Sequence, residues 1–525
     1  MRYSDTSESE EKNVSRAAGV VSFFTFLSRI LGLVRDMVLA SFFGTGMVAD
    51  AFVVAFRIPN LLRRLFAEGS LTIAFIPVFT EYLAKKSKEE AFEMARTVLT
   101  LLALILALVT LMGVVFAPWL VRLQAFGFGS SGAKYELTVL LTRITFPYIF
   151  LISIVAFFMG VLNSVRRFAA PAAAPIFLNV GIIGAAYLIS PYCSEPAVGV
   201  AIGVILGGII QVGLQIPWVL KEGMCLFPLW QPGHPAVRKI GLLMLPAVFG
   251  SAVYQLNSFI GTLLASFLAE GSVSWLYFAD RLVQFPLGVF AIAISTAVLP
   301  SLSLQAARKD LDDFGDTLVH ALQLVFFITL PATAGLIILG EPITRVLFER
   351  GAFDASSTIM TNRALFYYAL GLCAFSGIRI VVSGFYALQD TKTPVKVAVV
   401  ALFANLIAAL ALMGPLRHGG IALALSLSSS LQFCLLIFLL KKKIRLPNLE
   451  NVLNTCLKSA FASVVMGLGI YYLHSRWLVI DSGVGLFSMV INLAILVAAG
   501  IILYVGIARI LGCKELTSLK EMFIR

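Results

Sequence analysis

The sequence predicts an all-α polytopic membrane protein with about fourteen transmembrane helices. Of its 525 residues, 59% are hydrophobic and only 13% are charged, and the mean hydropathy is +0.94. An ordinary soluble domain carries about 25% charged residues and at most about 50% apolar ones. This composition therefore excludes an ordinary soluble enzyme, a disordered protein and a fibrous protein.

The apolar residues are grouped into windows of the right length for spanning helices. A transmembrane helix needs about 20 predominantly apolar residues, and several windows exceed that length, so tilted or broken helices are expected among them. The windows are 17–43, 48–82, 95–118, 138–163, 168–190, 198–220, 236–268, 272–302, 314–340, 358–387, 395–413, 419–440, 452–474 and 483–508. Because their number is even, both termini are expected on the same side of the membrane.

The basic residues of the loops predict which side that is. With a cytoplasmic N-terminus, the inner loops hold seventeen Lys and Arg residues and the outer loops hold six. Cytoplasmic loops are the ones enriched in Lys and Arg. The polar stretch 1–16 lacks a cleavable signal pattern and is interpreted as a cytoplasmic tail. Both termini are therefore predicted to be cytoplasmic, and part of the net charge of +12 is explained by these loops.

An internal repeat relates the two halves of the chain. The stretches LASFFGTGMV (39–48) and LASFLAEGSV (264–273) share six of ten residues at a spacing of 225, and Gly160/Gly384 and Pro171/Pro394 follow at spacings of 224 and 223. Six predicted helices lie within this interval. Since six is even, the halves have the same orientation, as in parallel repeats about an axis along the membrane normal.

The repeat predicts two six-helix lobes followed by an additional helix pair. The predicted segments are an N-terminal tail (1–16), an N-terminal lobe (17–220), a linker (221–235), a C-terminal lobe (236–440), helices 13 and 14 (441–508) and a C-terminal tail (509–525).

The first predicted helix carries the charged motif SRILGLVRD (28–36). At 100° per residue, Ser28, Arg29, Arg35 and Asp36 form one polar arc of about 120° centred on Gly32. An Arg at the bilayer centre costs at least about 2.5–3.5 kcal/mol, so such residues usually face an aqueous cavity or a partner. Two alternatives stay open: Arg29 extends to the interface, or Arg35 simply pairs with Asp36.

The second window contains ADAFVVAFRIPNLLRRLFAEG (49–69). Pro59 removes a backbone donor and should kink or break the helix. Arg64 and Glu68 are spaced i,i+4 and are expected to pair. Arg63 is then the freer cation.

The second half carries a comparable motif, FADRLVQFPLGVF (278–290). Asp280 and Arg281 lie in the middle of a window, near a second kink at Pro286, and Asp280 is either a member of the site or an internal counter-ion of Arg281. Arginines from both halves predict a cationic central cavity. Guanidinium groups bind phosphate oxygens bidentately and stay charged, so the expected cargo has an anionic head group, with diphosphate the natural candidate.

These motifs, together with LQDTKTP (388–394), resemble those of the MurJ/MviN family of bacterial lipid II flippases, and the resemblance extends over essentially the whole chain. It implies a fold of the multidrug/oligosaccharidyl-lipid/polysaccharide exporter superfamily, in the bacterial cytoplasmic (inner) membrane. It also implies that Arg29, Arg35, Arg63 and Arg281, with Asp36, are functionally important, and that the last two helices form a groove for a polyprenyl tail. Some members bind sodium in the C-terminal lobe, but no sodium site is assigned in this sequence.

The expected function is translocation of undecaprenyl-diphosphate-linked disaccharide-pentapeptide, lipid II, to the outer leaflet by alternating access, for peptidoglycan synthesis. The alternatives are a transporter of another polyprenyl-diphosphate-linked saccharide and a multidrug/cation antiporter. No enzymatic activity, cofactor, metal site or nucleic-acid partner is expected, and a coupling ion or membrane potential is not identifiable from the residues. The six cysteines are dispersed without a C-x-x-C pair. The protein is expected to be a monomer, with an association with the cell-wall synthesis machinery left open.

Overall fold

The computed structural model describes residues 2–63, 71–478 and 485–518, with the single residues 480 and 483; the side chains of 2–18, 72, 73, 245–254 and 449 are outside the description. The described part contains α-helices, two 3-10 turns (Phe126–Phe128 and Ser190–Tyr192) and a π-helical turn (Leu287–Ala291). The α-helices are α1 (Arg2–Phe43), α2 (Met47–Leu62), α3 (Thr72–Lys85), α4 (Lys88–Val115), α5 (Ala117–Gln124), α6 (Ala133–Thr145), α7 (Tyr148–Ser164), α8 (Ala169–Leu188), α9 (Pro196–Lys221), α10 (Pro235–Ser266), α11 (Ser272–Pro286), α12 (Ile292–Arg308), α13 (Leu311–Ile338), α14 (Gly340–Phe348), α15 (Ala355–Ala369), α16 (Leu372–Ala387), α17 (Lys392–Leu416), α18 (His418–Lys441), α19 (Leu449–Arg476) and α20 (Leu486–Ile510).

Within the described residues, every predicted window overlaps one or more helices, and the all-α fold class is confirmed. Within the described residues, ten helical spans are long and apolar enough to cross a membrane, and the pair α15 and α16, bent by 44°, makes eleven. The remaining three predicted windows coincide with α1, with α2 and α3, and with α10. The predicted number of about fourteen is consistent with this arrangement.

The chain divides into two compact units, unit 1 (Met1–Glu270) and unit 2 (Gly271–Arg525). The packing thus assigns α10 to unit 1, whereas the sequence repeat assigns the same helix to the C-terminal lobe. A repeat records common ancestry of two segments and a packed unit records their contacts, so the predicted lobe boundaries stay a prediction.

Unit 1 is held together by close helix contacts at small residues and by an aromatic cluster. A Cβ added to Gly181 of α8 would lie 2.6 Å from the Cα atom of Gly207 on α9. Only glycine permits this backbone approach, which is typical of membrane helix pairs. Elsewhere, the rings of Phe75, Phe79 and Phe157 pack with centroids 5.2 and 4.7 Å apart and are fully buried.

Unit 2 is organised around α13, which packs against α12, α16 and α19. The terminal pair, α19 and α20, shares a core with α13 and α14. Within this core, the Tyr504 hydroxyl donates a 2.6 Å hydrogen bond to the Phe327 carbonyl, and the two rings lie 5.2 Å apart. The pair without a counterpart in the repeat is therefore joined to unit 2 by a buried apolar contact.

The ends of α7 and α16 show the repeat in the backbone. Arg166 and Gln389 both adopt the left-handed conformation, with φ of 60° and 58°. The following amides close the same type of C-terminal cap, Arg167 N to Leu162 O at 2.8 Å and Asp390 N to Phe385 O at 2.9 Å. The same cap recurs 223 residues apart, which supports the parallel repeat.

An ion pair also recurs next to these caps, with its charges exchanged. In unit 1, Arg167 Nε lies 2.7 Å from Glu222 Oε1; in unit 2, Asp390 pairs with Lys443. The hydrogen bond and charge of Arg167 hold the pKa of Glu222 below its ordinary value. Burial alone would raise the pKa of Asp390, but hydrogen bonds from Lys443 and Thr393 outweigh it and lower the pKa.

We expect Glu222→Gln to lower the free energy of unfolding by about 1 kcal/mol or less, because the Arg167 side chain is 57% exposed and solvent weakens the pair. The lowered pKa means that the stabilisation is present above the ordinary Glu value and is lost as the pH falls through the folded-state value. A double-mutant cycle with Arg167→Ala, read by thermal unfolding in detergent at neutral and acidic pH, measures the coupling. A coupling that grows on acidification would contradict the sign.

Candidate functional site

The predicted arginine cluster of α1 is assembled around a side chain from α8. Arg35 donates to Asp36 Oδ1 from Nε at 3.1 Å and from Nη2 at 2.8 Å, and its Nη1 donates to Asn179 Oδ1 at 3.1 Å. Asn179 Nδ2 in turn donates to the Ser28 carbonyl oxygen at 3.2 Å. One amide thus connects the two ends of the SRILGLVRD motif.

This cluster is largely withdrawn from solvent. The Arg35 and Asp36 side chains are only 13% and 4% exposed. A buried ion pair is tolerated where further hydrogen bonds satisfy its groups, and Asn179 supplies one. The pairing of Arg35 with Asp36, which the sequence left open as an alternative, is present in the structure.

Arg29 differs from Arg35 in its surroundings. Its side chain is exposed, and within the described part of the chain its guanidinium has no hydrogen-bond or ion-pair partner. Gly32 lies between the two arginines, where an added Cβ would sit 3.9 Å from Asn179 Nδ2, an ordinary contact. Arg29 therefore keeps its donors available for an anion, whereas Arg35 is held in place.

The second motif positions two further arginines of unit 1. Arg63 Nε donates to Asn60 Oδ1 at 2.9 Å, and the backbone N–H of Arg63 closes the end of α2. The helix runs through Pro59 and ends three residues beyond it, at Leu62. Arg57 donates to Thr262 Oγ1 and, at 3.4 Å, to the Ser258 carbonyl of α10. The predicted Arg64–Glu68 pair lies outside the described residues.

The third motif lies in unit 2. The Arg281 guanidinium carbon lies 4.7 Å from the centre of the Tyr277 ring, a cation–π distance. Gln284 donates to Asp280 Oδ2 one turn later. The α-helical pattern gives way at Pro286 to the π-helical turn, as expected where proline removes a backbone donor.

Several polar residues of unit 1 were not found by the sequence reasoning. Asn179 and Arg57 could have been selected as site candidates from the sequence, because each is a strongly polar residue in an apolar window. Asp50, 1% exposed in the first turn of α2, pairs with Lys134 at 2.7 Å. In the sequence, Lys134 lies in a predicted outer loop, and the structure places it in the first turn of α6. Its partner could be found only from the fold, because 84 residues separate the two.

The described residues contain no group of three or more His, Cys, Asp or Glu side chains placed to hold a metal ion. The chemistry available at the three motifs is that of fixed cations and amide donors, which bind anionic oxygen atoms.

Known proteins resemble this chain over most of its length. A family model described as lipid II flippase MurJ matches residues 39–495. The probable lipid II flippase MurJ of Vibrio cholerae is 40% identical over 432 residues, which are 81% of this chain and 82% of the relative. The lipid II flippase MurJ of Burkholderia cenocepacia is 39% identical over 435 residues, 82% and 84% of the two chains.

Solved structures also resemble this chain over most of its length. The inward closed conformation of a lipid II flippase MurJ superposes with a TM-score of 0.79 at 29% identity, covering 94% of this chain and 99% of the other. An inward-facing MATE family transporter of the MOP superfamily reaches 0.67 at 13% identity, which shows a common fold. Because the family model spans most of the sequence and relatives about 40% identical cover most of it, the protein belongs to the lipid II flippase MurJ family.

Proposed function

We infer that this protein is a lipid II flippase, a transporter and not an enzyme, which moves the lipid-linked peptidoglycan precursor across the bacterial inner membrane. The observation that carries this function is the family match over residues 39–495, together with relatives named lipid II flippase at 39–40% identity. The arginine motifs are the chemical counterpart, because a diphosphate needs cations that stay charged in an apolar surrounding.

We propose that Arg29, Arg35, Arg63 and Arg281 each contribute to recognition of the diphosphate. Arg29 supports this role because it is exposed and keeps all its donors. Arg35 contributes through a fixed orientation, since Asp36 and Asn179 hold its guanidinium. Charge-assisted hydrogen bonds to phosphate are stronger than neutral ones, and a pre-oriented donor loses less entropy on binding. Asp280, Gly32 and the two prolines are proposed in supporting and hinge roles.

We propose that the terminal pair contacts the polyprenyl tail. On α19, Leu453, Leu457, Phe461, Val464 and Leu468 are 58–66% exposed. At 100° per residue these five side chains lie within an arc of about 80°. The opposite side of the helix is buried against α13, α14 and α20. A continuous apolar stripe suits a hydrocarbon chain and would not suit sugars or peptide.

The protein is proposed to work as a monomer with both termini in the cytoplasm. We expect a single cysteine at Ser130, in a cysteine-free background, to react with an impermeant thiol reagent added to intact cells. A cysteine at Lys442 should react only after the membrane is opened. Both positions are exposed, so access depends on the side of the membrane. The reverse pattern would show that the orientation predicted from the Lys and Arg residues of the loops is wrong.

Depletion and complementation test the function directly. A strain depleted of its own flippase should resume growth when this protein is expressed, and lipid II should reappear on the outer leaflet, measured by its accessibility to an added hydrolase. In a second arm, a strain lacking its exporter for another polyprenyl-diphosphate saccharide should not be rescued. Rescue only in the second arm would assign the protein to that substrate instead.

A further inference from the structure

A polar cavity lies at one end of unit 2, where α13 and α19 begin and α20 ends. Its volume is about 350 Å³, and its walls include His320 and Gln323 from α13, Asn454 and Lys458 from α19, and Lys514 and Glu515 from the segment after α20. None of these residues belongs to the arginine motifs. The proposed flippase function therefore assigns no role to this cavity.

The wall that follows α20 is firmly attached. Gly512 adopts φ of 65°, and the amides of Gly512 and Cys513 donate to the carbonyls of Arg509 and Ala508 at 3.1 and 3.0 Å. Cys513 is buried in the core shared by α13, α19 and α20, and Leu516 packs against that core. The segment therefore has a defined position over the start of α19.

The charges of the cavity favour an anion. Lys458 is half-buried, and within the described residues no carboxylate lies within ion-pair distance of it. Lys514 adds a second cation. Glu515 is only 6% exposed, and its Oε1 accepts a hydrogen bond from the Thr455 hydroxyl. Two lysines against one inward-bonded carboxylate leave an excess of positive charge, and the amide side chains of Gln323, Asn451 and Asn454 line the same cavity.

We propose that this cavity binds a phosphate-bearing anion through Lys458 and Lys514. Lysine is a common ligand of phosphate groups, acting as a point charge. The volume is at the lower end of the about 300–1,000 Å³ of small-molecule pockets, so it suits a glycerophosphate-sized group and excludes a disaccharide-pentapeptide.

Two probes distinguish the two possible sources of the phosphate, a lipid headgroup and a soluble molecule. The full-length protein is placed in nanodiscs of phosphatidylcholine, with or without phosphatidylglycerol, and glycerol 1-phosphate is added to the phosphatidylcholine sample. Hydrogen exchange is followed in peptides covering 451–460 and 508–518. We expect at least one probe to slow exchange there: phosphatidylglycerol alone identifies a lipid headgroup, and protection by glycerol 1-phosphate identifies a soluble phosphate.

The variant Lys458→Gln/Lys514→Gln should bind the effective probe about tenfold more weakly or worse, because it loses two charged donors. Lys441→Gln/Lys442→Gln is the matched control, since both lysines are exposed on the same unit outside the cavity, and it should bind normally. Lys514→Gln alone, at an exposed position, serves if the double variant does not fold. Absence of protection by both probes, or unchanged affinity of the lysine variants, would overturn the proposal.

Discussion

Arg29→Ala should abolish complementation of a flippase-depleted strain and leave the thermal stability of the purified protein unchanged. The Arg29 side chain is exposed, so its removal leaves no buried group without a partner. If it binds the diphosphate, the variant loses a charged hydrogen bond, typically worth about 1.5–3 kcal/mol. Lysine at this position should restore part of the activity, because it keeps the charge and loses the bidentate geometry. Growth, outer-leaflet lipid II and membrane protein level are the three measurements.

Arg35→Ala should both abolish complementation and lower the thermal stability of the purified protein. Removing one partner of a buried ion pair costs about 3–5 kcal/mol, since the other charge stays behind, and the Asp36 side chain is 4% exposed. The double variant Arg35→Gln/Asp36→Asn removes both charges together. We expect it to recover stability and to stay inactive in transport, which separates folding from recognition.

Arg238→Ala is the matched control for these variants, because Arg238 is exposed on α10 outside the three motifs. It should complement normally. Full complementation by the alanine variants of Arg29, Arg35 and Arg281, at normal protein levels, would remove the proposal that these cations bind the diphosphate.

The helices were predictable because membrane insertion depends on length and hydropathy, both of which are local properties of the sequence. Their internal breaks were less predictable. The window 138–163 contains a break between α6 and α7, at Phe146 and Pro147. Between α13 and α15 the chain forms the short helix α14, where Arg345 is bonded to Glu341 and Glu349. An amphipathic helix of nine residues gives no spanning signal.

The partners of the charged residues were predictable only along one helix. The pairing of Arg35 with Asp36 follows from their neighbouring positions in the sequence. Asn179, by contrast, reaches Arg35 across 144 residues, and no periodicity within α1 indicates which side chain of α8 faces it. The same limit applies to Arg57 and Thr262. Hydropathy and charge thus predict that an intramembrane arginine needs a partner, and the fold determines which residue provides it.

Replacing the apolar stripe of α19 should selectively weaken binding of a long-chain lipid. In the variant Leu457→Ser/Phe461→Ser/Leu468→Ser, three side chains that are 63%, 58% and 66% exposed lose their apolar surface. Apolar contact contributes about 25 cal/mol per Å² of buried area. The variant should therefore lose binding free energy only for a ligand whose hydrocarbon chain lies along α19. We expect affinity for the undecaprenyl lipid to fall at least about tenfold, and affinity for a short-chain analogue to change little.

Point substitutions are a sharper test than deletion of 452–508, because α19 and α20 share a core with α13 and α14, and deletion would expose that core. The matched control is Phe403→Ser/Ile407→Ser/Leu410→Ser on α17, whose side chains are 59%, 69% and 55% exposed and also lie on one face of their helix. It removes a similar apolar surface from another helix of unit 2. Both lipids should bind this control as they bind the parent protein. If the α17 and α19 variants weaken the long-chain lipid equally, the effect belongs to general contact with the bilayer, and α19 has no special role in holding the tail.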